Sequence, residues 1–250
     1  MNQKLPKLIS FAISHYCEKA RWALDWYGIE YTEEFWPIGL HMRMTRELGV
    51  PKSCVPILML DGEILQGSRE ILDWAYVNRT DSEKSLEDSK HGEEIREIEA
   101  RADDVVGVEV RRLLYAQTLT QHPDIVLELL YGNLDSKVRS VGHNLWPKIQ
   151  PAMIQTLDAA PDAVADSRAK LDVELDWLDE KLAEGKHHLV GDRLTRADLA
   201  AASLLAPFAQ LSRERMYRRV EVPPEIEEEF ERLKDRPSMK WVADTYRDFR

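Results

Sequence analysis

Strand-length apolar runs are confined to the front of this chain, and from Glu93 onward nearly every periodic stretch is helical. A switch of that kind divides a chain into a small α/β domain followed by an all-α domain. The 250 residues, 44% of them hydrophobic, suffice for a core in each part. The polar stretch Asn78 to Gly92 reads as an exposed linker. The expected organisation is therefore 1–80, a linker over 81–92, and a helical domain over 93–250.

The front part reads as β-α-β, a further helix, then β-β-α. Leu8 to Ile13 has strand length, and Ala20, Ala23, Leu24 and Tyr27 then recur at helical spacing before Gly28 stops the helix. Ile29, Tyr31 and Phe35 alternate with polar residues and predict a half-buried strand. A weaker helical stretch covers His41 to Leu48. Pro56–Leu60 and Glu63–Gln66 flank Asp61-Gly62, the signature of a tight hairpin, and Ser68 then opens a helix through Ile71, Leu72 and Ala75. This order brings together two helix N-termini and the Val55-Pro56 loop, and helix N-termini favour thiolates and carboxylates.

In the back part, Leu171, Leu175, Leu178 and Leu182 form a buried stripe. Thr195 and Asp198 have capping-box spacing, with Leu194 and Leu199 as a hydrophobic staple. The stretch from Leu119 to Ala160 contains Trp146-Pro147 and Pro151, and predicts two helices with a turn rather than one.

The chain resembles the glutathione transferase superfamily. The resemblance rests on Ser14-His15-Tyr16-Cys17-Glu18-Lys19-Ala20-Arg21-Trp22-Ala23-Leu24, on Val55-Pro56-Ile57-Leu58 before the Asp-Gly hairpin, and on Gly67-Ser68-Arg69-Glu70-Ile71-Leu72. It is most similar to a bacterial branch in which Ser-x-x-Cys replaces the Cys-x-x-Cys of glutaredoxins. The resemblance implies a thioredoxin-like glutathione-binding domain over 1–80, a helical substrate-binding domain over 93–250, and a thiol site that faces the latter. It also implies a homodimer and a role in detoxification.

Carried onto this sequence, the resemblance makes Ser14 the catalytic residue, donating a hydrogen bond to the glutathione thiolate, with Tyr16 as second choice. As a plain reading, Ser14 caps the first helix, and the two roles are compatible. Cys17 occupies the resolving position of a dithiol motif, and a thiol-disulfide reductase using it is one alternative; a small packed residue is the blander reading. Cys54 reads as a loop cysteine. Val55 and Pro56 match the superfamily's cis-proline position, where Val55 would offer its backbone to the cysteinyl part of glutathione. Ser68 would take the γ-glutamyl carboxylate, with Gln66 and Arg69 beside it. The superfamily has an acidic residue or Gln immediately before this Ser; here position 67 is Gly. An acid from a partner subunit, such as Asp103 or Asp104, would compensate. The departure also supports a second alternative, a non-catalytic binding or scaffold protein on the same fold. Arg112 and Tyr115 fall where relatives line the pocket for an electrophile, with surface arginines and a core-edge tyrosine as the plain reading.

The formal net charge of −11 disfavours nucleic acid and anionic membrane as partners. Arg111, Arg112, Arg213, Arg215, Arg218 and Arg219 are the candidates for a local basic patch, and solvated helix faces are the preferred reading. The only cysteines, Cys17 and Cys54, form no disulfide framework, and no signal peptide or membrane span is legible, so a cytoplasmic location is expected. No metal is expected: His187-His188 is an adjacent pair, not a spaced ligand set. Glutathione as co-substrate and a small electrophile or hydroperoxide are the ligands the resemblance implies.

Overall fold

The structure is a computed structural model and describes residues 4–209, 211 and 215–250. Arg213 of the basic set therefore lies outside the described residues. The chain divides into two compact units, one formed by residues up to 85 with 130–146, the other by 86–129 with 147–250.

The first unit is built on a mixed sheet of β1 (Lys7–Ser10), β2 (Thr32–Phe35), β3 (Ile57–Met59) and β4 (Ile64–Gln66), in the order β2-β1-β3-β4. β1 runs parallel to β2, and β3 is antiparallel to both β1 and β4. Helices α1 (His15–Trp26), α2 (His41–Leu48) and α3 (Ser68–Val77) complete the thioredoxin-like order read from the sequence. The hairpin closes around Asp61-Gly62, where Gly62 takes a φ of 88° that a side chain would resist.

β2 departs from the expectation of a half-buried strand: all of its residues are exposed. It is an edge strand, and its charged side chains form ion pairs instead of packing, as Lys7 does with Glu34 at 2.9 Å. Only Trp36, one residue beyond the strand, enters the core beside Ile9 and Ile57.

The other unit is helical. α4 (Gly92–Arg101) and α5 (Gly107–Thr118) are joined by a π-helical turn, Ala102–Val106, that carries Asp103 and Asp104. α6 (Pro123–Tyr131) and α7 (Ser136–Thr156) follow, their residues 130–146 belonging to the first unit, then α8 (Ala163–Lys181), α9 (Arg196–Leu205), α10 (Pro224–Leu233) and α11 (Pro237–Phe249). The Leu171, Leu175, Leu178 and Leu182 stripe is buried on and just after α8. Two helices do cover the stretch after Leu119, but the break falls between Tyr131 and Ser136, and α7 continues through Pro147 and Pro151. A proline in a helix removes one N–H donor, and neighbouring turns carry the helix across the gap.

The capping box at Thr195 is present. Asp198 accepts from the Thr195 N–H and hydroxyl, each at 2.8 Å, and from the Leu189 N–H at 2.7 Å. The next residue, Arg196, is buried between Glu87 and Glu99 and donates its N–H to the Leu86 carbonyl at 3.0 Å. The segment read as an exposed linker is thus exposed only in part: Leu86 is fully buried, and Glu87 is held in an ion pair. Among the described residues, no helix is long and apolar enough to cross a membrane.

Candidate functional site

The sheet register explains why three distant segments meet. Ile9 at the end of β1 pairs with Ile57 at the start of β3, which pairs with Gln66 at the end of β4. The connections that carry Ser14, Val55-Pro56 and Gly67-Ser68 therefore all leave the sheet at one end.

Ser14 is the N-cap of α1. Its hydroxyl oxygen accepts the Cys17 N–H at 3.3 Å, and its own N–H donates to the Phe11 carbonyl at 3.2 Å. The side chain is half-buried, and its hydroxyl also hydrogen-bonds the Cys17 thiol. Tyr16, on the first turn, stacks against His15 at 4.7 Å. Cys17 has no exposed surface, and burial pushes its thiol pKa up despite the lowering effects of Arg21 and Ser14. A nucleophilic thiol needs the opposite conditions, exposure and a lowered pKa, so the burial of Cys17 favours packing over the reductase alternative. Cys54 is exposed and not part of a disulfide.

The turn from Phe11 to Ser14 is braced from α1. Arg21 Nη2 donates to the Phe11 carbonyl at 3.1 Å and to Ser10 Oγ at 3.2 Å, and its Nε donates to Glu33 at 2.7 Å. This bracing was not read from the sequence, and neither was the part played by His41, which meets the Phe11 ring edge-on at 4.9 Å. A histidine at helical spacing with Met44, Thr45 and Leu48 was the available signal.

The Val55-Pro56 bond is cis. Val55 packs into the cluster of Ile9, Trp36, Ile57 and Phe11, while its N–H and C=O have no hydrogen-bond partner among the described residues. Pro56 donates nothing, and its carbonyl accepts the Gly67 N–H at 3.0 Å. Gly67, at φ 116°, precedes α3; Ser68 is the first helical residue and is buried. Arg69 is exposed. The first turn of any helix leaves N–H groups without intrahelical acceptors, so Ser68 stands at a place suited to a carboxylate.

Gln66 differs from the expectation. Its side-chain amide is engaged by Lys52 and Cys54 backbone groups and is not presented to a ligand. The reason is reach: from the last residue of β4 the side chain crosses to the neighbouring loop.

Arg112 and Tyr115 lie on α5 of the helical unit. Arg112 is half-buried and engaged by neighbouring groups of the helical unit. Its guanidinium pairs with Asp166 and Asp158 and donates to Ser167 Oγ and the Asp158 carbonyl, with 13% of its side chain exposed. Burial pushes the Tyr115 hydroxyl pKa up to about 12, against the lowering influence of Arg111. Asp103 is buried and Asp104 exposed on the π-helical turn. Among the described residues, no group of three or more His, Cys, Asp and Glu is placed to hold a metal.

Comparison with known families matches residues 8–83 to "Glutathione S-transferase, N-terminal domain" and residues 145–235 to "Glutathione S-transferase, C-terminal domain". No curated protein matches the chain. Among solved structures, a glutathione S-transferase from Sinorhizobium meliloti 1021 is similar at 21% identity and a TM-score of 0.56, covering 96% of this chain and 93% of its own. A beta-etherase from Sphingobium sp. strain SYK-6 is similar at 17% identity and a TM-score of 0.61, covering 96% and 99%. A glutathione S-transferase from Methylobacillus flagellatus KT, solved with glutathione bound, is similar at 19% identity and a TM-score of 0.51, covering 95% and 98%. At these identities the likeness is one of fold.

Proposed function

The chain belongs to the glutathione S-transferase superfamily, and on that premise we propose that it binds glutathione and activates its thiol for attack on an electrophile or a hydroperoxide. The observation that carries this reading is Ser14: a half-buried hydroxyl at the N-cap of α1, beside the positive end of the helix. A hydrogen bond from that hydroxyl to sulfur, together with the helix dipole, stabilises the thiolate and lowers the thiol pKa. The thiol proton leaves to solvent. The sulfur then forms a bond to carbon as the leaving group departs with its electron pair. With a hydroperoxide, sulfur takes the terminal oxygen as the O–O bond breaks and an alcohol is released; a second glutathione then reduces the product to glutathione disulfide and water.

The Val55 backbone, with no hydrogen-bond partner among the described residues, suits the cysteinyl amide, and the start of α3 at Ser68 suits the γ-glutamyl carboxylate. A related protein solved with glutathione bound supports the choice of ligand. The electrophile is a small molecule of a class the site residues do not name.

A non-catalytic binding protein is the second reading. It is favoured by Gly67, which carries no side chain, together with the commitment of the Gln66 amide to the 52–54 loop, so that neither residue serves the ligand's ammonium group.

Calorimetric titration with reduced glutathione at neutral pH tests the proposal. Binding that weakens in Ser68→Ala, with conjugation lost in Ser14→Ala while binding persists, is the expected result. Absence of any heat, with an unchanged melting temperature at millimolar ligand, would overturn it in favour of the second reading.

A further inference from the structure

Residues 52–54 form an irregular segment between α2 and β3, and the carbonyls of such a segment ordinarily turn to water. Here all three are taken by two side chains. Gln66 Nε2 donates to the Lys52 carbonyl at 2.6 Å and to the Cys54 carbonyl at 2.9 Å, while Gln66 Oε1 accepts the Lys52 N–H at 3.1 Å. His41 Nε2 lies 3.2 Å from the Ser53 carbonyl. The tautomer follows from the opposite ring nitrogen: Nδ1 accepts the Gly39 N–H at 3.0 Å, so the ring proton sits on Nε2 and is donated to Ser53. The two anchors approach from different elements, Gln66 from the end of β4 and His41 from the start of α2.

The residue that follows is Val55. Its side chain is packed in the apolar cluster, whereas its N–H and C=O have no partner among the described residues. A backbone pair recognises an extended peptide only when both groups are held in register, and ordering a loop at the moment of binding costs affinity. We propose that Gln66 and His41 are positioning residues for glutathione: together they fix the 52–54 loop so that the Val55 N–H and C=O stand ready for the cysteinyl amide. Gln66 thus serves the ligand through the loop, not by contact. This inference rests on the glutathione-binding reading above.

The chemistry required at each position is specific. Gln66→Glu keeps the size and one acceptor but loses both donated bonds. His41→Gln retains a donor for the Ser53 carbonyl, and His41→Leu retains only apolar packing. Glutathione affinity and the pKa of the bound thiol are measured for each variant, with melting temperature as the control for folding. Loss of two hydrogen bonds to the loop is expected to raise the dissociation constant of Gln66→Glu about tenfold. His41→Leu is expected to weaken binding and His41→Gln to recover part of the loss. The bound thiol pKa should stay at the wild-type value in all three, because Ser14 is untouched; a general structural defect would move it as well.

Hydrogen exchange on the unliganded wild-type protein gives an independent reading that needs no variant. The Lys52 amide, bonded to Gln66, should be protected before any ligand is added. An unprotected Lys52 amide, or folded variants that bind within about twofold of wild type, would overturn the clamp while leaving the glutathione reading intact. Wild-type protein that binds no glutathione would overturn the underlying reading, and the clamp with it.

Discussion

The Arg21 guanidinium and the Ser14 backbone N–H converge on a single acceptor, the carbonyl oxygen of Phe11, at 3.1 and 3.2 Å. Arg21 also bonds Ser10 and Glu33 and pairs with Glu18, so a cation with 12% of its side chain exposed ties β1, β2 and α1 to the turn that presents Ser14. Substitution of Arg21 by Lys keeps the charge but not the planar fork that reaches these acceptors together. Turnover with any accepted electrophile is expected to fall about tenfold or more in Arg21→Lys, the cost of one to two charge-assisted hydrogen bonds. Glutathione affinity should change little. Steady-state kinetics beside calorimetry separates the two effects.

Ser14 both caps α1 and is proposed to activate the thiol, and the two roles can be separated. Ser14→Ala removes both and is expected to cost about 1 kcal/mol of stability along with activity. Ser14→Asn restores a capping acceptor without a hydroxyl, so it should recover the stability and not the activity. Thiolate absorbance of bound glutathione as a function of pH would report a raised thiol pKa in both variants. Cys17→Ala should retain activity and lose about 1–2 kcal/mol of stability, because a fully buried side chain is shortened.

His41 makes stability depend on pH. Burial lowers its pKa below the ordinary value, the bond to the Ser53 carbonyl opposing this only in part. Protonation at Nδ1 would also remove the acceptor of the Gly39 N–H. Since the unfolded ring titrates near a pKa of about 6.5, the unfolded state takes up the proton first as pH falls. The stabilisation is therefore complete above that value and declines as pH drops through it toward the lower folded pKa. Melting temperatures measured across this window should fall more steeply for the wild type than for His41→Gln. Parallel slopes would show that the ring does not contribute.

At the start of α9, Asp198 holds more than the sequence motif requires. Thr195→Ala removes one side of the capping box and should cost about 1 kcal/mol. Asp198→Ala orphans the Thr195 N–H, the Thr195 hydroxyl and the Leu189 N–H in a site with no exposed surface, and should cost about 3 kcal/mol or more. Denaturant unfolding of both variants tests the ranking.

The outline of the protein was legible because its signals are local. Ser14 before an apolar helical face, Asp61-Gly62 between two short strands, and Thr195 three residues before Asp198 each act within a few residues, so composition and spacing reveal them. The Gly132–Asp135 break between α6 and α7 was missed because two prolines offered a stronger breaker signal than the turn itself. β2 was misread because alternation predicts a buried face wherever a sheet has a layer to cover it, and an edge strand has no such obligation.

By itself, then, the sequence determined the order of elements, the helix caps and the switch from α/β to all-helical structure, all of them properties of neighbouring residues. The tertiary structure alone decided which side chains are available. Arg112 is taken up by Asp158, Asp166 and Ser167, Gln66 by Lys52 and Cys54, and Cys17 by the core, while the Val55 N–H and C=O have no hydrogen-bond partner among the described residues. Availability depends on partners far away in the chain, and a residue's type and spacing carry no record of what will be packed or hydrogen-bonded against it.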